Sequence, residues 1–577
     1  MSDHRPDDAE SDPVNAAASP EATPESDPVA DPASAVPVRD NVARNSAIMA
    51  IGTFGSRILG FVRTAMLTGI VGVNALTADS FSVANSLPTQ LYVLINGGLL
   101  SAVLIPQLTK AMLRKDGGQD FSDRLITLCL LVLAGTTVAS LAAAPWIVRL
   151  LTDNEDEAFL SLTTKFALLC LPQIFFYGLY SVLGQVLNAR GNFSAYAWAP
   201  AWANVIQIAG LAWFIVEWGQ QTSLQDWSAE MIWVLAGSTT LGIVVQGVGL
   251  VVPLVKSGFR YRPRFGWRGH GFRDLSRMAM WTIAALLISQ AYGFLSTYTN
   301  SSGAARADNV PGNYAQALAY GLYILPHSII TISLITALFP AMSRAHEQGD
   351  LAAMRRQVVN GLKTPSVLLI PATAALLALG RPIAATLFPG SAYDADLGID
   401  DAADVGLIMG IMGIGLVPFG ITALKQRYCF ARGDGKMNFW TVVVLMAGNA
   451  LGCVVALLWS APEYVVMTVA AGASISNFVA AAVFIVIARR QLGGLGMSSV
   501  VRLWVRLVLV CAIGGVAAWG IATLVADPGD AWVTQALAVA AGLLALGLVY
   551  LAGARLLRIR EVDELLAPIL RRVRLAR

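Results

Sequence analysis

The sequence predicts an all-α polytopic membrane protein with about 14 transmembrane helices, arranged as two parallel-repeat six-helix lobes followed by two further helices. Hydrophobic residues make up 56% of the chain and charged residues only 13%, with a mean hydropathy of +0.61. Apolar runs of about 20 residues, the length that crosses a bilayer, follow one another after residue 41. The connections between these runs alternate between basic and acidic. Together these three observations predict a helical bundle rather than a barrel.

The N-terminal segment, residues 1–43, is predicted to be a disordered acidic cytoplasmic tail. Residues 1–40 contain ten acidic residues and seven prolines against two arginines, with few large apolar side chains. Such a composition cannot bury enough apolar surface to offset the entropy of ordering the chain. The segment also lacks the basic and apolar regions of a signal peptide, so we expect no cleavage.

Fourteen apolar runs follow this tail. They lie at roughly 46–70, 79–105, 125–150, 160–187, 195–218, 229–255, 278–300, 314–343, 358–388, 405–428, 438–460, 464–488, 503–526 and 532–556. We predict an N-terminal six-helix lobe over 44–256 and a C-terminal six-helix lobe over 278–490, joined by a basic cytoplasmic loop, 257–277. Two extra helices, 503–556, and a basic cytoplasmic tail, 557–577, complete the chain.

The charges of the connections predict the orientation in the membrane. Every second connection is basic, with Lys110, Arg114, Lys115 and Arg124; Arg190; Lys256, Arg260, Arg262, Arg264, Arg268, Arg273 and Arg277; Arg344, Arg355 and Arg356; Arg432 and Lys436; Arg489, Arg490 and Arg502. The others are mainly acidic, with Asp153, Glu155, Asp156 and Glu157; Asp226 and Glu230; Asp394, Asp396, Asp400, Asp401 and Asp404; Glu463; Asp527 and Asp530. Because cytoplasmic connections are rich in Lys and Arg, both termini are predicted to be cytoplasmic.

Two pairs of similar segments indicate that the lobes are repeats. Ile105–Ala111 resembles Phe339–Ala345, and Ala189–Asn192 resembles Ala431–Asp434. Each offset corresponds to six helices and preserves orientation, as in transporters with parallel repeats about an axis along the membrane normal. Four charged residues at the predicted cytoplasmic helix ends are candidates for a cytoplasmic gate: Arg190, Arg432, Asp434 and Lys436.

The first apolar run carries an unusual polar face. At helical spacing it consists of Thr53, Ser56, Arg57, Gly60, Arg63 and Thr64. An arginine inside a membrane costs at least ~2.5 to 3.5 kcal/mol, so its default role is to face a polar cavity. Asp79 opens the next helix from the predicted external side, as an ion-pair partner for Arg63 or another cation. Either these arginines bind phosphate, for which a guanidinium is well suited, or they pin helices together. Since two arginines meet one acid, we favour phosphate binding.

The sequence gives little support for metal binding, disulfides or nucleotide binding. The five cysteines are scattered through apolar runs, and only His327 of the four histidines lies in a span, so no metal or disulfide is expected. Gly435-Lys436 lacks the glycine spacing of a nucleotide-binding loop. We expect a transporter rather than an enzyme, with no cofactor and no nucleic-acid partner, driven by membrane potential or an ion gradient. Gln290 and Asn449 are more often helix-bridging residues than ion ligands.

These residues resemble the MurJ (MviN) family of lipid II flippases in the MOP exporter superfamily. The most specific segment is Ser56–Arg63. Further matching positions are Ala78–Phe81, Ala84, Leu87-Pro88, Ile105-Pro106, Leu187-Asn188, Asn192–Ser194, Ala199-Pro200, Phe430–Arg432, Asp434 and Lys436. The resemblance covers roughly residues 44–556 and implies a MOP/MATE-like fold with a central cationic cavity and a lipid-tail groove at the two extra helices.

The resemblance also implies function. Ser56, Arg57, Arg63 and Asp79 match the family's substrate-binding positions. The implied activity is translocation of lipid II, or a related polyprenyl-pyrophosphate glycolipid, by alternating access from the inner to the outer leaflet of the bacterial cytoplasmic membrane. Membrane lipids and proteins of cell-wall synthesis or division are the implied partners.

The sequence departs from the family pattern in three places. Thr89 and the residues after it stand where many members have asparagine and arginines, Asn96 replaces an acidic residue, and Gly321 lies near the position of an arginine. The cavity is therefore expected to be less cationic. Two alternatives to a lipid II flippase stay open: a MOP-type exporter of another polyprenyl-linked glycan or a cationic drug, and a non-transporting scaffold of cell-wall assembly. The arginines disfavour the drug exporter.

Overall fold

The computed structural model describes residues 38–96, 119–190, 192–265, 277–388, 393–394 and 399–564. Its contacts divide the chain into two units, residues 1–47 and residues 48–577. Only the start of the first helix is described in the first unit, and all contacts discussed below lie in the second. Several predicted features lie outside the described residues. They are most of the acidic tail, the first repeat segment at 105–111, much of the loop 257–277 and the end of the basic tail.

The part of the chain predicted as the N-terminal lobe contains eight described helices. They are α1 (Val38–Val71), α2 (Leu76–Ile95), α3 (Gln119–Leu151), α4 (Glu157–Cys170), α5 (Gln173–Ala189), α6 (Phe193–Trp218), α7 (Ala229–Val248) and α8 (Val251–Lys256). We call α1–α8 the N lobe.

The C lobe, α9–α16, follows. Its helices are α9 (Arg277–Arg306), α10 (Asn313–Pro326), α11 (Ile332–Glu347), α12 (Leu351–Leu387), α13 (Asp401–Ile414), α14 (Leu416–Ala431), α15 (Gly435–Trp459) and α16 (Val465–Gln491). A short antiparallel pair, β1 (Tyr393–Asp394) and β2 (Ile399–Asp400), precedes α13. The last two helices, α17 (Met497–Val525) and α18 (Trp532–Leu556), pack against each other and against α12.

The helices confirm the prediction of an all-α multispan membrane protein. Twelve stretches of the described chain are long and apolar enough to cross a membrane, and the bent pair α13 and α14 makes a thirteenth. In this count α4 joins α5, α7 joins α8, and α10 joins α11. The fourteenth predicted span corresponds to α2, a helix of 20 described residues that contains Pro88. It is more polar than the stretches counted above.

Side chains satisfy backbone groups where helices begin, break or bend. Asx or serine N-caps accept a backbone N–H at Asp156, Ser228, Asp350, Asp400 and Asp434. At Pro326 the proline lacks an N–H, and a five-residue π-helix connects α10 to α11. At the 49° bend between α13 and α14, Ser474 Oγ donates to the Ile411 carbonyl at 2.8 Å and Thr373 Oγ1 to the Gly413 carbonyl at 2.9 Å.

Consecutive spans run in opposite directions, so the connections gather at two ends of the bundle. We call one the acidic end; its connections are 72–75, 152–156, 219–228, 307–312, 388–400, 460–464 and 526–531. The opposite end is the basic end. One cluster of buried apolar side chains at the acidic end contains residues of both lobes, such as Phe81, Phe166, Tyr314 and Met409.

Toward the basic end the core divides. Cys129, Val182 and Leu254 belong to a cluster made only of N-lobe residues. A separate cluster around Leu424 and Tyr428 contains residues from the C lobe and the start of α17. Among the described residues, the two lobes therefore share a core at the acidic end and have their own cores at the basic end.

Candidate functional site

The polar face of α1 lies against α6. Arg63 Nη1 donates a hydrogen bond to Gln207 Oε1 at 3.3 Å. One turn of α6 earlier, Asn204 Nδ2 donates to the backbone carbonyl of Ser56 at 3.0 Å and lies 3.4 Å from its hydroxyl. Residues three apart share a helix face, so Asn204 and Gln207 hold two predicted site residues from the same side.

Arg63 is partly buried between the lobes. No described carboxylate forms an ion pair with it, while Tyr177 of α5 and Tyr314 of α10 lie within electrostatic range of the guanidinium. A guanidinium has five N–H donors, and Gln207 accepts only one of them. The remaining donors have no partner among the described residues and are available to an anion.

Arg57 lies on the same helix but does not join this cluster. Its side chain is exposed, and neither an ion pair nor a hydrogen bond holds it among the described residues. Arg63 is six residues after Arg57, which corresponds to about 9 Å along α1, with Arg57 nearer the basic end. The two arginines therefore lie on one helix at different depths in the bundle.

Asp79 has a different partner from the one expected. The suggested ion pair with Arg63 is absent, because the Asp79 carboxylate accepts the backbone N–H of Asn313 and lies 3.5 Å from Asn313 Nδ2. Asn313 is the first residue of α10, and the free N–H groups and dipole at a helix start attract a carboxylate. Asp79 is only 2% exposed, so it joins the two lobes within their shared core.

Further hydrogen bonds join the lobes near the acidic end. The hydroxyls of Thr68 and Tyr314 are 3.0 Å apart. Asn74 Nδ2 donates to Asp401 Oδ1 at 2.9 Å and to Asp404 Oδ2 at 2.8 Å. On the same side, the Tyr298 hydroxyl donates to Asp153 at 2.7 Å. Deeper in the bundle, Gln290 Nε2 donates to the Gln90 carbonyl at 2.8 Å.

The four candidate gate residues at the basic end stay within their own lobes. Arg190 donates to the Ser257 carbonyl at 3.0 Å and stacks on Phe259. Arg432 stacks on Tyr428 and donates to Gln491. Asp434 accepts the Met437 N–H as an N-cap, and Lys436 lines a small surface pocket beside it. In this conformation the structure does not bring the four residues together.

Sequence reasoning missed several residues of this site. Asn204 and Gln207 gave a usable signal, since they are polar residues three apart in an otherwise apolar run. Asn74, Asn313 and Tyr314 gave none, because their partners lie hundreds of residues away in the other lobe. Gln290 bridges helices, as expected from its type.

Known proteins resemble this chain in sequence and in fold. A family model described as "Lipid II flippase MurJ" matches residues 68–539. A probable lipid II flippase MurJ from Synechocystis sp. is 24% identical over 484 residues, which are 83% of this chain and 87% of that relative.

Two solved structures share the fold. A lipid II flippase MurJ in an inward closed conformation has a TM-score of 0.67 at 18% identity and covers 88% of this chain and 99% of its own. An inward-facing multidrug-resistance MATE transporter of the MOP superfamily has a TM-score of 0.60 at 15% identity, covering 76% and 94%. These likenesses show the MOP/MATE fold, and the family model covers most of the sequence. The chain therefore belongs to the lipid II flippase MurJ family.

Proposed function

We propose that this chain translocates lipid II from the inner to the outer leaflet of the bacterial cytoplasmic membrane by alternating access. The observation that carries the proposal is the position of Arg63. It is a cation with no ion-pair partner among the described residues, and it lies between two lobes whose described side chains share a core at the acidic end and form separate cores at the basic end. A diphosphate is the part of a lipid-linked precursor that such a guanidinium recognises.

The charge pattern orients the site. Basic connections favour the cytoplasm, which supports a cytoplasmic location for the divided end of the bundle and an outer location for the shared core. In this orientation a head group approaching from the cytoplasm meets exposed Arg57 first and Arg63 about 9 Å further in. The two arginines of α1 then act in sequence on one diphosphate.

Tyr314 links anion binding to the closure at the acidic end. Its hydroxyl is hydrogen-bonded to Thr68, and the ring lies within electrostatic range of Arg63. A diphosphate on Arg63 brings negative charge close to this contact and to the buried carboxylate of Asp79. We expect that charge to weaken the contacts between the lobes, so that the acidic end opens once the substrate is bound.

Two parts of the proposal extend beyond this site. The polyprenyl tail stays in the lipid phase along the two extra helices, α17 and α18, as the family resemblance implies. Return to the starting conformation is driven by membrane potential or an ion gradient. Recruitment of cell-wall synthesis or division proteins would be a separate property of the loops and tails.

The proposal is tested by depleting the protein in cells and labelling the lipid II exposed on the outer leaflet. Depletion should lower the labelling, and the intact chain should restore it. Arg63→Ala should restore little, while Arg344→Ala, which removes an exposed cation at the basic end, should restore it fully. Unchanged labelling on depletion would exclude a lipid II flippase. Rescue by Arg63→Ala would exclude the anion site.

A further inference from the structure

A further cation of the membrane domain, Arg381, lies at the acidic end of α12. Arg381 lines a cavity of about 270 Å³ together with Ala403, Trp519, Thr523 and Gln535. We call it the Arg381 cavity. Its walls come from α12, α13, α17 and α18, and none of the residues around Arg63 contributes to it.

Arg381 is held rigidly with donors to spare. Its Nε donates to Asp400 Oδ2 at 2.6 Å and its Nη2 to the Pro528 carbonyl at 2.9 Å. Asp400 is fixed in turn, because its other oxygen accepts the Ala403 N–H as the N-cap of α13. A guanidinium has five N–H donors, so three have no partner among the described residues and can bind a phosphate at the cavity.

An acidic residue flanks the cavity, because Asp527 lies between Ala526 and Pro528, which both line it. Gln535 Nε2 donates to the Asp527 carbonyl at 2.6 Å, and the Asp527 N–H donates to Asp530 Oδ2 at 2.9 Å, which fixes the turn before α18. The carboxylate of Asp527 is exposed and has no partner among the described residues. Because Asp400 already forms an ion pair with Arg381 at 2.6 Å, a purely anionic head group would gain little here, whereas a phosphate that carries its own ammonium group matches both Arg381 and Asp527.

An apolar crevice continues from the cavity toward the middle of the bundle. It measures about 380 Å³ and is lined by Ile370, Ala374 and Leu377 of α12 and by Cys511, Val516 and Trp519 of α17. We call it the α12–α17 crevice. Its α17 residues run from Val508 to Trp519, about 17 Å of helix, close to the roughly 15 Å that the chains of one leaflet fill.

The same geometry argues against the substrate tail as the occupant. No α18 residue lines the α12–α17 crevice, and no residue of α1, α2, α9 or α10 does so. A lipid whose head is bound at Arg63 therefore has no described path into it. The polar cavity also lies at the acidic end, away from the side on which a cytoplasmic substrate would arrive.

We propose that a zwitterionic aminophospholipid of the phosphatidylethanolamine type binds at this site. Its phosphate lies on Arg381, its ammonium group at Asp527, and one acyl chain in the α12–α17 crevice. The lipid bridges α12, α17 and α18, and so ties the two extra helices to the C lobe. This site is independent of the translocation proposed for Arg63.

The test is lipid titration of the purified full-length chain in detergent, followed by native mass spectrometry. Phosphatidylethanolamine and phosphatidylglycerol with identical acyl chains are compared. We expect the wild type to prefer phosphatidylethanolamine by about two- to fivefold, the range expected for one partly exposed ion pair. Asp527→Asn should abolish this preference. Asp226→Asn, which removes an exposed acid at the same end but away from the cavity, should leave it unchanged.

Two further variants test the rest of the site. Gly515→Leu fills the crevice, because a Cβ at Gly515 would lie 3.7 Å from Ala374, and should weaken binding of both lipids without touching a polar group. Arg381→Gln should also weaken both, and a thermal melt shows whether that variant is folded. Equal binding of the two lipids to the wild type, or an unchanged preference in Asp527→Asn, would overturn the proposal. Displacement of phosphatidylethanolamine by an equal amount of a polyprenyl diphosphate would overturn it in favour of the substrate.

Discussion

The carboxylate of Asp79 in α2 accepts the backbone N–H of Asn313, the first residue of α10 in the other lobe. A side chain of one lobe thereby caps a helix of the other. The contact is buried, and it lies in the shared core at the acidic end. Separation of the lobes at this end would break the cap and leave both a carboxylate and helix N–H groups in need of new partners.

We predict that Asp79→Ala loosens the acidic end, because alanine has no side-chain oxygen to accept the Asn313 N–H. Losing a capping carboxylate costs about 1 kcal/mol, which corresponds to about a fivefold shift toward separated lobes. The measurement is the rate at which a cysteine introduced at Thr64 reacts with a membrane-impermeant maleimide added outside. The five native cysteines are buried. An equal rate in Asp79→Ala and in the control Asp226→Ala would contradict this role.

Gln207 is predicted to orient Arg63 without neutralising it. Gln207→Glu turns the acceptor into a carboxylate and should pair with the guanidinium, so affinity for a polyprenyl diphosphate should fall at least about tenfold, as for loss of a charged hydrogen bond. Gln207→Ala should reduce affinity less, because the cation remains available. Binding is measured by titration of the purified protein. Equal losses in the two variants would show that Gln207 has only a packing role.

Asn74 is predicted to hold two carboxylates that would otherwise repel each other. Its side-chain amide donates to both Asp401 and Asp404, so Asn74→Asp places a third negative charge where donors are needed. We expect a loss of about 1 to 3 kcal/mol in stability, visible as a lower Tm. Gln220→Glu adds the same charge at an exposed position of the same end and should change the Tm little. Similar melting of both variants would argue against the contact.

A glycine pair, Gly452 and Gly472, is predicted to set the spacing of α15 and α16. A Cβ on Gly452 would lie 2.8 Å from the Cα of Gly472, so Gly452→Ala should force the helices apart and cost about 1 to 3 kcal/mol. Gly520 in α17 has no atom within 4 Å of its would-be Cβ. Gly520→Ala should therefore be neutral or stabilising by up to about 1 kcal/mol. A lower Tm for Gly452→Ala together with an unchanged or higher Tm for Gly520→Ala would support this packing.

The sequence was sufficient for the fold because hydropathy and charge alternation are repeated in every span. A single miscounted helix would have disturbed the alternation of basic and acidic connections. The contacts of the site are different. The sequence predicts a cation as the partner of Asp79, but the N–H groups at the start of α10 fill that role. The positive end of a helix is a property of its backbone and not of a charged residue, so it cannot be read from the sequence.

The two arginines illustrate the same limit. Helical spacing placed Arg57 and Arg63 on one polar face, but only Arg63 reaches a partner, because Gln207 lies opposite it on α6. Which of two neighbouring side chains meets a facing helix depends on packing between distant segments. Arg381 went unnoticed in the sequence for a related reason, since its partner Asp400 and its contact Pro528 come together only when α12, α13 and α17 pack.

The central claim is that Arg63 binds the diphosphate of a lipid while it crosses the membrane. The most direct measurement is the rate at which lipid II becomes accessible to an impermeant label across proteoliposomes that contain the purified chain. We expect Arg63→Ala to reduce the rate at least about tenfold, the effect of losing a charged recognition group, while Arg344→Ala keeps the wild-type rate. A wild-type rate for Arg63→Ala, in protein that is folded and incorporated equally, would contradict the account.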